Sequence, residues 1–410
     1  MKVWSTIKRL PAWLLPVTAT MLMAAEPAPA TYPPQARMHA TSDLRRNDDW
    51  LQKALTARKA DIGTKAAWAM QQAPVTITAS RCERSAGGLH DFYSEGDYWW
   101  PDPAHPDSPY VQRDGQTNPQ NFVAHRQAMV RFSRITGALA AAYVAGGDKK
   151  YLHHALAHVN AWFVHPATRM NPHLLYAQAI KGRVTGRGIG IIDTIHLLEI
   201  VQALRIMEKA GIVPPRELEA IKDWFRAYLE WMTTHPYGLA EMNAANNHGT
   251  CWVMQVAAFA AFLQDREWTD FCARRYKEVL LPKQMAEDGS FPLELRRTKP
   301  YGYALFNLDA MAAICQILGL WDYTGAEGKS IQKGMQWMYP YVEDKGKWPF
   351  AKDVMYWEEW PVAHPFLLFG AAAYGNNDYF RLWQRLDHDP QVEEVLRNLP
   401  VRNPEIWMIN

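Results

Sequence analysis

Residues 214–232 read PPRELEAIKDWFRAYLEWM, and this stretch carries the clearest fold signal in the chain. Two prolines suit the first turn of a helix, where the backbone N–H has no intrahelical partner to lose. Leu218, Ile221, Phe225, Tyr228 and Met232 then recur three and four residues apart. That spacing lays one apolar stripe along a helix and predicts that the stripe packs on a neighbour. The same periodicity recurs on both sides. Residues 126–145 and 150–164 make a pair separated by GGDKK, and 190–210, 251–264, 304–319 and 362–374 continue the series. Strand signals are few; VTIT at 75–78 is the best of them. Helices of about 12–20 residues, short turns, no Ser/Gly-rich linker and no fixed-period repeat predict one all-α domain. The expected architecture is an (α/α) toroid or barrel of antiparallel helix pairs, incomplete as a ring, over residues 31–410.

Composition narrows the function classes. Of 410 residues, 48% are hydrophobic and 12% aromatic, enough for a large core and too much for a disordered chain. Residues 1–30 read as a secretory signal peptide. Lys2, Lys8 and Arg9 make a basic start, an apolar run from Leu10 to Ala25 follows, and small residues offer cleavage near Ala25 or Ala30. The expected location is periplasmic or secreted, with no membrane association after cleavage. Removing those residues takes three basic and one acidic side chain from totals of 44 and 42, leaving 41 of each. A chain balanced in this way has no global electrostatic claim on nucleic acid. Cys82, Cys251, Cys272 and Cys315 have no zinc-like spacing. Three of them fall in helical runs, where buried free thiols are as expected as disulfides.

Three stretches break the helical pattern: 81–119, 165–190 and 285–303. Long loops on a helical scaffold are where function usually sits. Two clusters stand out beside them. NNHGT at 246–250 sets Asn246, Asn247 and His248 at the start of an apolar helix. Two readings are open there: a helix cap, or an anion site at a positively polarised helix end. LELRRTKPYGYALFNLDAM at 293–311 concentrates Arg296, Arg297 and Lys299 ahead of Tyr301 and Tyr303. An amide, an imidazole, a guanidinium and a phenol are together what β-elimination from a uronic-acid polysaccharide requires. Asn and Arg neutralise the sugar carboxylate and so acidify the C5 proton beside it. A tyrosine with a lowered pKa, held near Arg or Lys, removes that proton, and a phenol returns one to the departing O4. Neither a metal nor a cofactor is required.

NNHGT, DGSFPLELRRTKPYGYALFNLDAM (288–311), GGLHDFYSEGDYWWPDP (87–103) and TRMNPHLLYAQAIKGRVTGRGIGIID (168–193) together resemble the alginate lyase superfamily of polysaccharide lyases, over roughly residues 80–385. The resemblance implies an α/α toroid with a substrate cleft and an acidic polysaccharide or oligosaccharide as partner. It implies that Asn247 and Arg296 neutralise the carboxylate, that Tyr303 serves as acid and base, and that His248 assists or acts as base for the other uronate epimer. Asn246 could stand in for Asn247, Arg297 for Arg296, and Tyr301 for Tyr303. Alginate is the first substrate to expect, with glucuronan or another uronan as the alternative.

Other residues are candidates for the cleft wall. Tyr98, Trp99 and Trp100 could stack on sugar rings, or simply anchor their loop. Asn171, Gln178, Arg183 and Arg187 could bind neighbouring carboxylates, for which the arginine fork is suited. Two other function classes compete. A glycoside hydrolase would need two carboxylates about 5–10 Å apart in the cleft, and its candidates, Glu83, Asp91, Glu95, Asp97 and Asp102, crowd one loop. A non-catalytic periplasmic sugar-binding protein would keep the aromatics and arginines and have no use for Tyr303.

Overall fold

Two kinds of helix alternate along the chain, and the difference is legible in their burial. The structure, a computed structural model, describes residues 40–409 except Pro106, and only the backbone of 40–47. The expected signal segment lies outside the described residues. The helices, in chain order, are α1 (Ala40–Ala57), α2 (Lys59–Ala69), α3 (Ala124–Gly146), α4 (Lys150–Phe163), α5 (Leu197–Lys209), α6 (Pro215–Thr234), α7 (Pro236–Met242), α8 (Asn247–Leu263) and α9 (Arg266–Arg275). Then follow α10 (Leu281–Gln284), α11 (Pro292–Leu295), α12 (Pro300–Leu318), α13 (Ile331–Glu343), α14 (Pro365–Tyr374), α15 (Asn377–Arg385) and α16 (Glu393–Arg397).

Helices α8, α12 and α14 are apolar almost all round. Every residue of α12 from Pro300 to Cys315 is buried. A helix with no polar face must sit inside other helices. Accordingly α3 packs on α5, α5 on α8, α8 on α12, and α12 on α14, which forms an inner row. Amphipathic helices cover it: α2 and α4 on α3, α6 and α9 on α8, α13 on α12 and α14, and α15 on α14. In α6 the buried residues are Ile221, Trp224, Phe225, Tyr228, Leu229 and Met232, the stripe expected from the sequence with Leu218 at its edge. The C-terminal turn Pro404–Met408 is buried against α3, α5 and α14, so the two ends of the row meet the same segment. This is the all-α toroid architecture.

Strands are brief. β1 (Tyr93–Glu95) and β4 (Tyr176–Ala179) pair in parallel, while β2 (Trp99–Trp100) and β3 (Val111–Gln112) form an antiparallel ribbon. The strand expected at 75–78 does not form. Thr76 instead caps the single 3-10 turn Ile77–Ala79 with its hydroxyl, a local bond that competes with strand pairing. The stretch 190–210 also divides, into a 3-10 run Gly188–Thr194 and then α5. The two loops that β1, β2, β3 and β4 anchor lie against the N-terminal ends of α8 and α12, where the site is built. All four cysteines are free and buried.

Candidate active site

The N-terminus of α8 is held by two carboxylates. Asn246 has an extended backbone, and its Oδ1 accepts the His248 N–H at 3.4 Å; it is the helix cap. Asn247, 2% exposed, donates its backbone N–H to Glu294 Oε1 at 2.8 Å and its side-chain Nδ2 to Glu294 Oε2 at 2.7 Å. Those bonds fix the orientation of the amide and leave Nδ2 one further N–H. Burial pushes the Glu294 carboxyl up, opposed by the two Asn247 donors. His248 Nδ1 lies 2.7 Å from Glu241 Oε1, and Glu241 is fully buried at the end of α7. With Glu241 as acceptor, Nδ1 carries the proton and Nε2 keeps the lone pair. Gly249 makes this approach feasible, since a Cβ there would stand 2.3 Å from the Ala244 carbonyl.

The second half comes from the turn between α11 and α12. Arg296 is exposed, and its Nε donates back to the Pro292 carbonyl at 3.1 Å; it lies outside the cleft. The turn swings Arg297 inward instead. Its guanidinium holds Asp114 through Nη2 at 2.8 Å and Nε at 3.3 Å, and Nη2 also donates to the Tyr303 oxygen at 3.3 Å. It lies 4.4 Å from the centre of the Tyr303 ring. Tyr301 turns the other way. Its hydroxyl donates to the Tyr341 carbonyl and its ring packs between Trp348 and Trp357. Tyr303 is 8% exposed, and its oxygen is 2.8 Å from that of Tyr98. Lys299 Nζ lies 5.0 Å from the Tyr98 ring and 5.3 Å from the Tyr303 ring.

Tyr98, Asn247, His248, Arg297 and Tyr303 line one cleft together with Asp97, Trp99, Gln112, Gln178, Arg187 and Arg397. Gln178, in the left-handed region at φ 55°, donates Nε2 to Asp97 and Asp193, both at 3.2 Å. Arg187 donates Nε to the Gln178 carbonyl at 2.9 Å. It has no carboxylate within ion-pair distance among the described residues, and burial lowers its pKa. Three expected wall residues stand elsewhere. Trp100 faces outward, bonded to the Gln116 carbonyl under Arg113. Asn171 is tied to Asp91 at 2.7 Å. Arg183 stacks 5.2 Å from the Trp99 ring but lines an outer groove with Lys181 and Tyr237.

The electrostatics correct one expectation. The Tyr303 pKa is not lowered: burial drives it well above the ordinary phenol range, the Tyr98 hydroxyl adds to the rise, and Arg297 opposes it. The resting phenol is therefore protonated, ready as an acid. The cleft carboxylates go the other way. Burial would raise Asp97, but Arg126 and Arg397 prevail; burial would raise Asp114, but Arg297 and Thr298 prevail. Both stay ionised, so neither supplies the protonated acid a glycoside hydrolase needs. No group of three or more His, Cys, Asp or Glu suited to a metal ion occurs among the described residues.

Comparison with known proteins gives a consistent result. The model of the alginate lyase family matches residues 76–348. The chain is 29% identical to an alginate lyase structure from Bacteroides ovatus, with a TM-score of 0.75 over 90% of this chain and 97% of that one. The A1-III alginate lyase of Sphingomonas species A1 shares the fold at 14% identity, with a TM-score of 0.51 over 80% of this chain and 90% of that one. A variant of A1-III complexed with a tetrasaccharide matches at 14% identity and a TM-score of 0.52, over 80% of this chain and 89% of that one. No curated protein matches the chain significantly.

Proposed function

We propose that this chain, which belongs to the alginate lyase family and is therefore a polysaccharide lyase, cleaves a uronic-acid polysaccharide by β-elimination and leaves a 4,5-unsaturated uronate at the new end. Alginate is the first substrate to expect, because the Bacteroides ovatus and A1-III relatives are alginate lyases; glucuronan or another uronan is the alternative. One observation carries the reading: Asn247, His248, Arg297 and Tyr303, drawn from two segments about 50 residues apart, line the same cleft.

The chemistry follows from the donors. A sugar carboxylate seated against the free N–H of Asn247 and the guanidinium of Arg297 loses its charge repulsion toward an incoming pair of electrons. The C5 proton is thereby acidified. For a uronate whose C5–H faces His248, the lone pair at Nε2 takes that proton, the electrons form the C4–C5 double bond, and the bond from C4 to the glycosidic oxygen breaks. The Tyr303 phenol, protonated at rest, gives its proton to the departing oxygen. For the other epimer Tyr303 must first release its own proton to solvent; the phenolate then takes the C5 proton and passes it to the departing oxygen. Its phenolate would then accept from Tyr98 and from Arg297 Nη2, both already within 3.3 Å. Arg187, without a carboxylate partner among the described residues, is suited to a neighbouring sugar acid.

We extend the reading to export, on the strength of the basic start and the apolar run in residues 1–30. N-terminal sequencing of the mature protein checks this, with a start near residue 26 or 31 expected. The central test is spectrophotometric. The purified protein is incubated with alginate blocks, glucuronan and glycosaminoglycans, and ultraviolet absorbance of the conjugated double bond is followed. Tyr303→Phe should lower kcat by about 10³-fold, within the 10²–10⁴-fold range of acid–base groups, with circular dichroism unchanged. New reducing ends without absorbance would mean hydrolysis, and binding without either would mean a non-catalytic protein.

A further inference from the structure

Helix α16 lies beyond residue 348, where the family match ends, yet it reaches the cleft. Its Glu394 accepts a bond from Lys299 Nζ through one oxygen and from Arg397 Nη1, at 3.1 Å, through the other. Arg397 Nη2 lies 3.2 Å from Asp97 Oδ2. Lys299 immediately precedes α12, and its carbonyl accepts the Tyr303 N–H at 3.0 Å. Asp97 immediately precedes Tyr98. The four charged side chains are 2–12% exposed. They therefore close a loop: from the Tyr303 turn through Lys299, Glu394, Arg397 and Asp97 to Tyr98, whose hydroxyl returns to Tyr303 at 2.8 Å.

Buried ion pairs are a poor way to gain stability, since the desolvation of two charges offsets most of their attraction. Two consecutive pairs in one five-residue helix, joined to the two phenol-bearing segments, call for another account. We propose that Glu394 and Arg397 are positioning residues: α16 is a brace that sets the spacing of the Tyr98–Tyr303 phenol pair. Lys299 and Arg397, 5.0 and 5.8 Å from the Tyr98 ring, also keep cations beside the pair. A misplacement of about 1 Å in acid–base geometry costs about 10²-fold in rate, so the brace acts on kcat. The inference rests on the lyase reading of the same cleft.

The test uses the full chain and the ultraviolet assay, with Arg397→Ala, Arg397→Lys, Glu394→Gln and, as a comparison, Glu405→Gln. Glu405 pairs with Arg58 just as deeply, in the same C-terminal region, but away from the phenols. Arg397→Ala and Glu394→Gln should lose about 30–100-fold in kcat with KM within about threefold. Arg397→Lys should recover much of the loss, and Glu405→Gln should lower the melting temperature while keeping kcat. Wild-type kcat in folded Arg397→Ala and Glu394→Gln overturns the brace, as does a rise in KM alone, which would make Arg397 a substrate ligand. If those two variants do not fold, Arg397→Lys decides: a loss of about three- to tenfold in kcat supports the brace and wild-type kcat overturns it. No unsaturated product from wild-type protein on any uronan would overturn the lyase reading, and the brace with it.

Discussion

At the scale of single residues, the pairing that matters most is Glu241 with His248. A carboxylate that accepts from Nδ1 chooses the tautomer and so decides which nitrogen can take a proton. Oε2 of Glu241 is buried and has no hydrogen-bond partner among the described residues, so the group acts on the imidazole through one oxygen alone. Glu241→Gln offers an amide that can donate as well as accept, and a donating amide would move the ring proton to Nε2. We expect a kcat loss of about 10²-fold on the uronate that uses His248 as base, a smaller loss on the other epimer, and a melting temperature at or above that of wild type. Equal losses on both epimers would show that Glu241 acts on the fold of the cleft and not on the ring. The sequence gives no hint of this pair. Seven residues separate the two, but a non-helical turn at 243–246 lies between them, so neither a 3.6 nor a 2.0 period links them.

The helix-scale question is how α12 starts. Pro300 occupies its first turn, and Asp353 accepts the Tyr301 and Gly302 N–H groups, both at 2.9 Å. Gly302 leaves room for that carboxylate, since a Cβ would stand 2.9 Å from Asp353 Oδ2. Tyr303 sits one residue further on, so the cap also aims the phenol. Asp353→Ala removes the acceptor and should cost about 1–2 kcal/mol of stability, the usual range for a lost cap, read as a lower urea midpoint. It should also lower kcat, because the first turn of α12 frays. A variant equally stable to wild type would remove Asp353 from the cap. This turn also explains the arginine. The family resemblance implies Arg296, with Arg297 as its alternative. The chain breaks between α11 and α12, the phase is lost, and Arg297 at six residues faces the cleft. Periodicity reads faces only where the helix is unbroken.

Across the whole molecule, the helical row was legible because its members bury apolar residues at 3.6 spacing, and the cleft was legible because its two motifs are contiguous. Contacts closed by tertiary structure were not. Glu294 meets Asn247 across 47 residues and Glu394 meets Lys299 across 95, and each looks like any surface acid in the sequence. The same burial that built the row also sets its response to acid. His158, on α4, is 1% exposed and its Nε2 faces the Gln72 carbonyl at 3.1 Å. Burial first, then His154 and Arg131, lower its pKa from the ordinary 6.5 to about 4, against the pull of that carbonyl. The folded protein therefore binds fewer protons here than the unfolded chain between those values. Stability from this group is present above pH 6.5 and lost as pH falls through about 4. His196, His125 and His388 shift in the same direction, also through burial first. Urea unfolding between pH 7 and 4 should show stability falling with acid, with His158 contributing on the order of 2 kcal/mol. In His158→Gln, which keeps an amide donor for the Gln72 carbonyl, the slope should be shallower by that amount. Parallel pH curves for variant and wild type would show that His158 titrates alike in both states.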